Sequence, residues 1–291
     1  MCFPPLYQGI FLMIAGIFLY SLSDVIVKLL SDRYSAFHII FMRSTFALPL
    51  IFLLHIRKHS IIKIFQVNIK EQIIRNIFLS FASVLSIYSL SLIPLAEYAV
   101  FIYGAPLLVI LLSRPILGEA VTKKNVFCTS IGFFGVVISF NPSIQYVVHI
   151  GAVIACVAAF SYALGMILTS LQGRTTPPLV MVFWNTLSCS FVGLCGTLFI
   201  PLALDVKDLI YFVIEALIHV SSSLMIVRSF RFTPISLTSS LNYTAIIWAT
   251  LFDYLIWDQT PQPHLILGAA CILGCGIQYL YGVRLKKASE T

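Results

Sequence analysis

The sequence predicts an all-α membrane protein, with ten transmembrane helices arranged as two inverted five-helix repeats. Three observations carry this prediction. Of 291 residues, 59% are hydrophobic and only 10% charged, and the mean hydropathy is +0.99, whereas a soluble domain carries about a quarter charged residues. The apolar residues form runs close to the ~20 needed to cross a bilayer, separated by short polar breaks. The second half of the chain also repeats the first at a nearly fixed offset.

The first predicted helix, Gly9–Leu30, follows a start without basic residues and exceeds the ~7–15 apolar residues of a signal peptide, so it is retained. Ala36–His55 ends at Arg57-Lys58, and Arg75–Ser91 begins where that polar stretch closes. Leu95–Leu117 opens after Pro94 and stops at Gly118-Glu119; Asn125–Asn141 begins after Lys123-Lys124. Val147–Ser170 and Leu179–Pro201 flank the break at Arg174, Leu209–Phe230 follows Lys207-Asp208, and Ile235–Trp257 follows Pro234. His264–Leu285 closes the chain before Lys286-Lys287. These runs lack the period-2 alternation of a barrel strand and are about twice the ~10 residues such a strand requires.

Basic residues alternate between the breaks. Fourteen fall on one side: Arg57, Lys58, Lys63, Lys70, Arg75, Arg114, Lys123, Lys124, Arg174, Arg228, Arg231, Arg284, Lys286 and Lys287. Lys28, Arg33 and Lys207 fall on the other, and Arg43 lies within a helix. The positive-inside rule therefore places both termini in the cytoplasm of a multi-pass inner-membrane protein. The net charge of +7 is accounted for by these helix ends, which meet anionic lipid headgroups, so no nucleic acid partner is expected. The seven cysteines lie almost entirely in apolar segments without a CxxC, and read as packing residues rather than disulfides or metal ligands. No cofactor is expected, and a homodimer is compatible with the sequence.

At an offset of 142, Gly9 falls on Gly151, Tyr20 on Tyr162, Phe41 on Phe183 and Arg43 on Asn185. At an offset of 140, Pro94 falls on Pro234, Tyr103 on Tyr243 and Ala105 on Ala245. The halves, 1–142 and 143–291, thus read as one duplicated unit. Five helices per unit is an odd number, so the second copy crosses the membrane upside down. Inverted repeats suit alternating access around a site near the midplane.

Ile93-Pro94-Leu95-Ala96-Glu97 opening the fourth helix, Ala105-Pro106-Leu107 within it and Leu117-Gly118-Glu119 closing it resemble the EamA-type drug/metabolite transporter superfamily. The resemblance covers nearly the whole chain. It implies carriage of a small polar metabolite: similar proteins export amino acids and other metabolites, or import S-adenosylmethionine or riboflavin. The second half departs from the pattern, with Trp257-Asp258-Gln259 where Leu-Gly-Glu is expected and Ile246 in place of Pro106.

Ionisable side chains within a bilayer are costly, roughly 2.5–3.5 kcal/mol each on insertion scales, and ask for a reason. Arg43, inside the second helix, can hold a substrate carboxylate or phosphate through its planar fork, or equally an internal acid such as Asp24. Asp24 and Lys28 are four apart and can also pair locally. Glu97 and Glu215 sit near outer helix ends and share the outer half with Asp24 and Arg43. Glu215 and His219, one turn apart, can relay protons, since histidine titrates near neutral pH. Tyr20, Tyr103, Tyr162, Tyr243, Trp184 and Trp248 can stack on a ring or cation, or serve as packing and interfacial residues, and Asn185 offers an amide opposite Arg43. Gly132, Gly135, Gly268 and Gly274 let helices approach closely. One arginine, several carboxylates and aromatics suit a zwitterion with extra positive charge, such as S-adenosylmethionine, or a plain amino acid.

The competing class is a membrane-embedded enzyme, but no HExxH or GxSxG occurs and His55, His59, His149 and His264 sit at helix ends or loops, with His38 near a helix start. A channel lacks a TVGYG filter, and a primary pump lacks a Walker motif. The energy source is then a gradient or solute exchange.

Overall fold

The computed structural model describes residues 5–56, 62–90, 92–93, 95–119, 121–140, 149–200 and 204–258. The predicted tenth helix, with Gly268 and Gly274, lies outside them. The described residues are helical throughout, without strands. The helices are α1 (Pro5–Ser31), α2 (Ala36–Ile56), α3 (Ile62–Phe65), α4 (Ile69–Leu90), α5 (Leu95–Ile102), α6 (Ala105–Leu117), α7 (Lys123–Phe140), α8 (Ile150–Gly173), α9 (Pro178–Thr197), α10 (Leu209–Ser229), α11 (Ile235–Leu241) and α12 (Thr244–Trp257). Six stretches among them are long and apolar enough to cross a membrane. Large apolar side chains stand outward, among them Phe11, Leu111, Phe134 and Phe191. In water such a surface would drive association; facing acyl chains it is the solvated state.

Three elements differ from the sequence expectation. Helix three begins at Ile69 rather than Arg75, because the polar first turn is helical: Gln72 N–H donates to Asn68 O (3.2 Å) and Asn68 Nδ2 to Glu71 Oε1 (2.7 Å). Lys70 and Arg75 therefore both lie inside this helix, Lys70 exposed at its start and Arg75 buried. Helix four is two helices, broken at Tyr103-Gly104, since Pro106 has no N–H to return to Ile102. Helix nine is likewise broken at Asn242-Tyr243, although Ile246 stands where proline does in helix four. There Asn242 and Tyr243 make tight bonds to Ser239 O (3.2 Å) and Ser240 O (3.4 Å), and Thr244 Oγ1 bonds back to Leu241 O (2.7 Å). The Thr244 hydroxyl thus takes over a carbonyl that the helical ladder would use.

The chain forms two compact units. The first comprises Met1–Phe81 and Leu168–Thr233, the second Ala82–Ile167 and Pro234–Thr291. In the first, α1 lies against α10 through glycine: Ser222 Oγ donates to Gly16 O (2.8 Å), and a Cβ at Gly16 would fall 2.8 Å from Ile226 Cγ1. In the same unit α2 and α9 run antiparallel, with Gly193 against Phe41 and Gly196 against Phe37. A Cβ on Gly193 would come within 2.7 Å of the Phe41 backbone nitrogen, so only glycine permits this approach. Ala47, Ile51, Val182, Ala216 and Val220 fill the space among α2, α9 and α10. At one end, Tyr34 donates to Asp208 Oδ2 (2.9 Å) and accepts from Asp205 N–H (3.0 Å). Burial raises the Tyr34 phenol above its ordinary range. At the other, Arg231 Nε and Nη2 donate to Gly173 O (2.9 Å) and Thr176 O (2.8 Å), satisfying carbonyls at the end of α8.

In the second unit, Tyr243 is buried with Val100, Val136 and Ile246, its ring seated on Gly132 of α7. The end of α6 is closed by Gly118 in the left-handed conformation (φ 66°). Glu119 then reaches the start of α11, where Oε1 accepts from Ile235 N–H (3.2 Å) and Oε2 from Ser236 N–H (3.1 Å). The Leu-Gly-Glu sequence is thus a helix stop joined to a helix cap.

Candidate functional site

In the first unit, α1 carries Tyr20, Ser23 and Asp24 at helical spacing, α2 carries Arg43, and α10 carries Glu215 and His219 one turn apart. The fold brings these together. Glu215 is fully buried, and its Oε1 accepts from Ser23 Oγ (2.8 Å) and from Arg43 Nη1 (3.4 Å). The Arg43 side chain retains 16% exposure. Asp24 is exposed and within electrostatic reach of both Arg43 and Glu215. Of the two internal acids, Glu215 rather than Asp24 is the ion-pair partner of Arg43. Cys189 of α9 lies close enough to feel the guanidinium. Tyr20 lays its ring 6.0 Å from that of His219.

The pair is incomplete. Arg43 Nε, Glu215 Oε2 and His219 Nδ1 are buried without a hydrogen-bond partner. A buried polar atom left unpaired costs about 1–3 kcal/mol, more when charged. Three such atoms around one ion pair describe a cluster with donor and acceptor capacity to spare, where an anionic group can meet Arg43 and a cationic one Glu215.

Trp184 and Asn185 also lie in this unit, on α9. Trp184 is anchored, its Nε1 donating to Ile64 O (3.3 Å) and its ring edge-on to Phe65 and Phe183. Asn185 Nδ2 donates to Asn76 Oδ1 (3.4 Å), which also accepts from Arg75 Nη2 (3.3 Å). The remaining expected site residues belong to the second unit. Tyr103 sits in the break of helix four, Tyr162 stands beside Tyr98, and Tyr243 is packed in the core. Glu97 falls in α5, but its side chain lies outside the described residues. Among the described residues no group of histidine, cysteine or acidic side chains can hold a metal.

Sequence reasoning passed over Ser23, Cys189, Asn76 and Arg75. Ser23 carries one signal, its place one turn from Tyr20 and beside Asp24. Arg75 was hidden by the polar turn before it, which reads as a loop.

A model of the EamA-like transporter family matches residues 7–141 and again residues 149–277. A transporter of Helicobacter pylori (strain ATCC 700392 / 26695) is 23% identical, over 97% of this chain and 97% of its own. The S-adenosylmethionine uptake transporter of Rickettsia prowazekii is 22% identical over 93% and 91%. The pseudopaline exporter of Pseudomonas aeruginosa (strain UCBPP-PA14) is 21% identical over 92% and 94%. A solved crystal structure superposes with a TM-score of 0.82 at 19% identity, covering 96% of this chain and 99% of its own, and so shares the fold. Apolar helices clad in lipid-facing side chains, a charged pair buried among them and a family match that recurs in both halves lead to one conclusion: this multi-pass membrane protein belongs to the EamA-like transporter family.

Proposed function

We propose that the chain is a secondary transporter that moves a small zwitterionic metabolite, S-adenosylmethionine or an amino-acid-like compound, across the cell inner membrane by alternating access. The observation that carries this reading is the incomplete Arg43–Glu215 pair. Arg43 Nε can take a substrate carboxylate and Glu215 Oε2 a substrate ammonium or sulfonium-bearing group, each completing a buried atom that lacks a partner. Asp24 and Tyr20 border the same cluster and add negative charge and a ring face for an extra cation. Trp184 and Asn185 belong to the proposed solute-binding set of this unit; Tyr103 and Tyr162, with Glu97 on the strength of the sequence, are proposed for the second unit, where the buried Tyr243 supports them by packing. Glu215 with His219 is proposed to couple transport to protons.

The architecture proposed for this activity is ten helices in two inverted repeats, 1–142 and 143–291, with both termini cytoplasmic. The double family match supports it, as does the recurrence of a helix break at Tyr103 and Tyr243, 140 residues apart. Such a carrier needs neither cofactor nor catalytic group. Because the relatives include an uptake transporter and an exporter, direction is read from the sidedness of flux.

The test is flux of radiolabelled S-adenosylmethionine and L-methionine in proteoliposomes of the full chain. Saturable flux is expected, with Arg43→Lys raising the half-saturation concentration because the charge remains but the fork is lost. Turnover of a solute without translocation would place the chain with membrane enzymes instead.

A further inference from the structure

The ion pair described above has a counterpart in the same unit. At the offset of 142, Arg43 of α2 falls on Asn185 of α9; at the offset of 140, Glu215 of α10 falls on Arg75 of α4. Both pairs of positions meet in space. Arg43 bonds Glu215 directly, whereas Asn185 Nδ2 and Arg75 Nη2 both donate to one acceptor, Asn76 Oδ1. The charges differ: where the first place holds an arginine and its acid, the second holds an arginine and an amide.

Arg75 is 1% exposed, and its one described anchor besides Asn76 is Met181 O, to which Nη2 donates (2.8 Å). Its Nε and Nη1 are buried without partners, as is Asn76 Nδ2. Among the described residues no acid is bonded to Arg75. A buried guanidinium without a counter-charge is far more costly than a paired one. Between α4 and α9 lies an open, mostly apolar groove of about 580 Å³ whose lining includes Asn76, Ser80 and Ser188 with the exposed Ile77 and Phe191; of the three station residues Asn76 reaches it, while Arg75 and Asn185 lie behind its wall. The related space between α2 and α10 is filled by Ala47, Ala216 and Val220. Because Phe41 faces Gly193 and Phe37 faces Gly196, Arg43 and Asn185 stand about six residues apart in level, roughly 9 Å at the helical rise.

We infer that Arg75, Asn76 and Asn185 form a second anion-recognising station for the transported solute, the repeat-related counterpart of Arg43–Glu215. The chemistry it takes is a carboxylate or phosphate oxygen, which supplies the acid that the protein supplies itself at the first station. The inference rests on the inverted-repeat reading proposed above, under which the two stations serve opposite faces of the membrane.

Asn185→Asp tests this, because it introduces an acid at the residue that shares Asn76 Oδ1 with Arg75 and so competes with an incoming anion for the guanidinium. The full chain is reconstituted in phosphatidylcholine vesicles, with L-methionine, S-adenosylmethionine and 3-(methylthio)propylamine, the amine of methionine without its carboxylate, as counterflow probes. For the two carboxylate probes Asn185→Asp should raise the half-saturation concentration roughly tenfold at one vesicle face and little at the other, the loss of about one charge-assisted hydrogen bond. Arg43→Lys should act at the opposite face. Equal effects of Asn185→Asp at both faces, or none, overturn the inference. A second readout needs no transport: acetate should raise the unfolding temperature of the unaltered chain and should not raise that of Asn185→Asp. Protection by acetate that is equal in both also overturns it. If no probe moves but acetate protection is lost in Asn185→Asp, the station stands and the proposed substrate class fails. With phosphatidylglycerol added to the vesicles, loss of acetate protection in the unaltered chain without change in half-saturation would assign the station to a lipid headgroup and overturn its role in transport.

Discussion

Arg43 is legible from sequence because an ionisable group in an apolar run is conspicuous; its partner is not, being 172 residues away on α10. The partner changes the expected outcome of mutation. An arginine alone in lipid would insert better as alanine, but here Arg43→Ala leaves Glu215 buried and uncompensated. It should lower stability by about 3 kcal/mol, read as a loss of folded protein in detergent on heating. Arg43→Ala with Glu215→Gln should recover the folded level yet remain inactive. Recovery of transport in the double variant would show that the pair is structural only. His219 carries a separate prediction, since its Nδ1 lacks a partner one turn from Glu215. Uptake should depend on an imposed pH gradient and lose that dependence in His219→Ala. Gradient-independent exchange by the unaltered chain would exclude this proton route.

At the scale of elements, the departure from Leu-Gly-Glu in the second half has a conformational answer. Asp258 lies 140 residues after Gly118 and adopts φ 51°, against 66° at Gly118. Aspartate is among the few side-chain-bearing residues that tolerate the left-handed region, so the helix stop survives the loss of glycine. Nothing lies within 4 Å of a Cβ built on Gly118, which makes the position a clean test of backbone conformation. Gly118→Val should cost about 1–2 kcal/mol from the left-handed penalty alone, and Asp258→Gly should be neutral or stabilising, both read by thermal unfolding of purified protein. A neutral Gly118→Val would mean that the turn relaxes out of positive φ. Glu119→Ala should cost about 1 kcal/mol by uncapping α11. The proline-free break at Asn242-Tyr243 was not legible, because it depends on the Thr244 hydroxyl taking the Leu241 carbonyl and on the Tyr243 ring finding Gly132, neither of which hydropathy records.

For the molecule as a whole, the charge asymmetry predicts that both termini lie in the cytoplasm. Reporter fusions after Leu30 and Leu92 should report the periplasm, and fusions after His55, Leu117 and Ser170 the cytoplasm. A periplasmic signal at Ser170 would overturn the proposed ten-helix order. The compact units do not follow the halves of the sequence: each takes residues from both. Mates under the repeat offsets, such as α2 with α9, therefore meet inside one unit, which packs Arg43 with Glu215 and Arg75 with Asn76 and Asn185 in the same body.

By itself the sequence determined that this chain lives in a membrane, is built of apolar helices and resembles a family of carriers. Those properties rest on hydropathy, on proline and glycine at particular positions, and on internal repetition, all of which are written along the chain. Only the tertiary structure decided which charges meet. Whether Arg43 faces Asp24 or Glu215, and whether Arg75 is a loop cation or a buried one, depends on the rotation of each helix about its axis and on glycine-mediated approach between segments distant in sequence. In lipid, where apolar faces cost little whichever way they turn, that rotation is set by packing and by the pairing of the few polar groups.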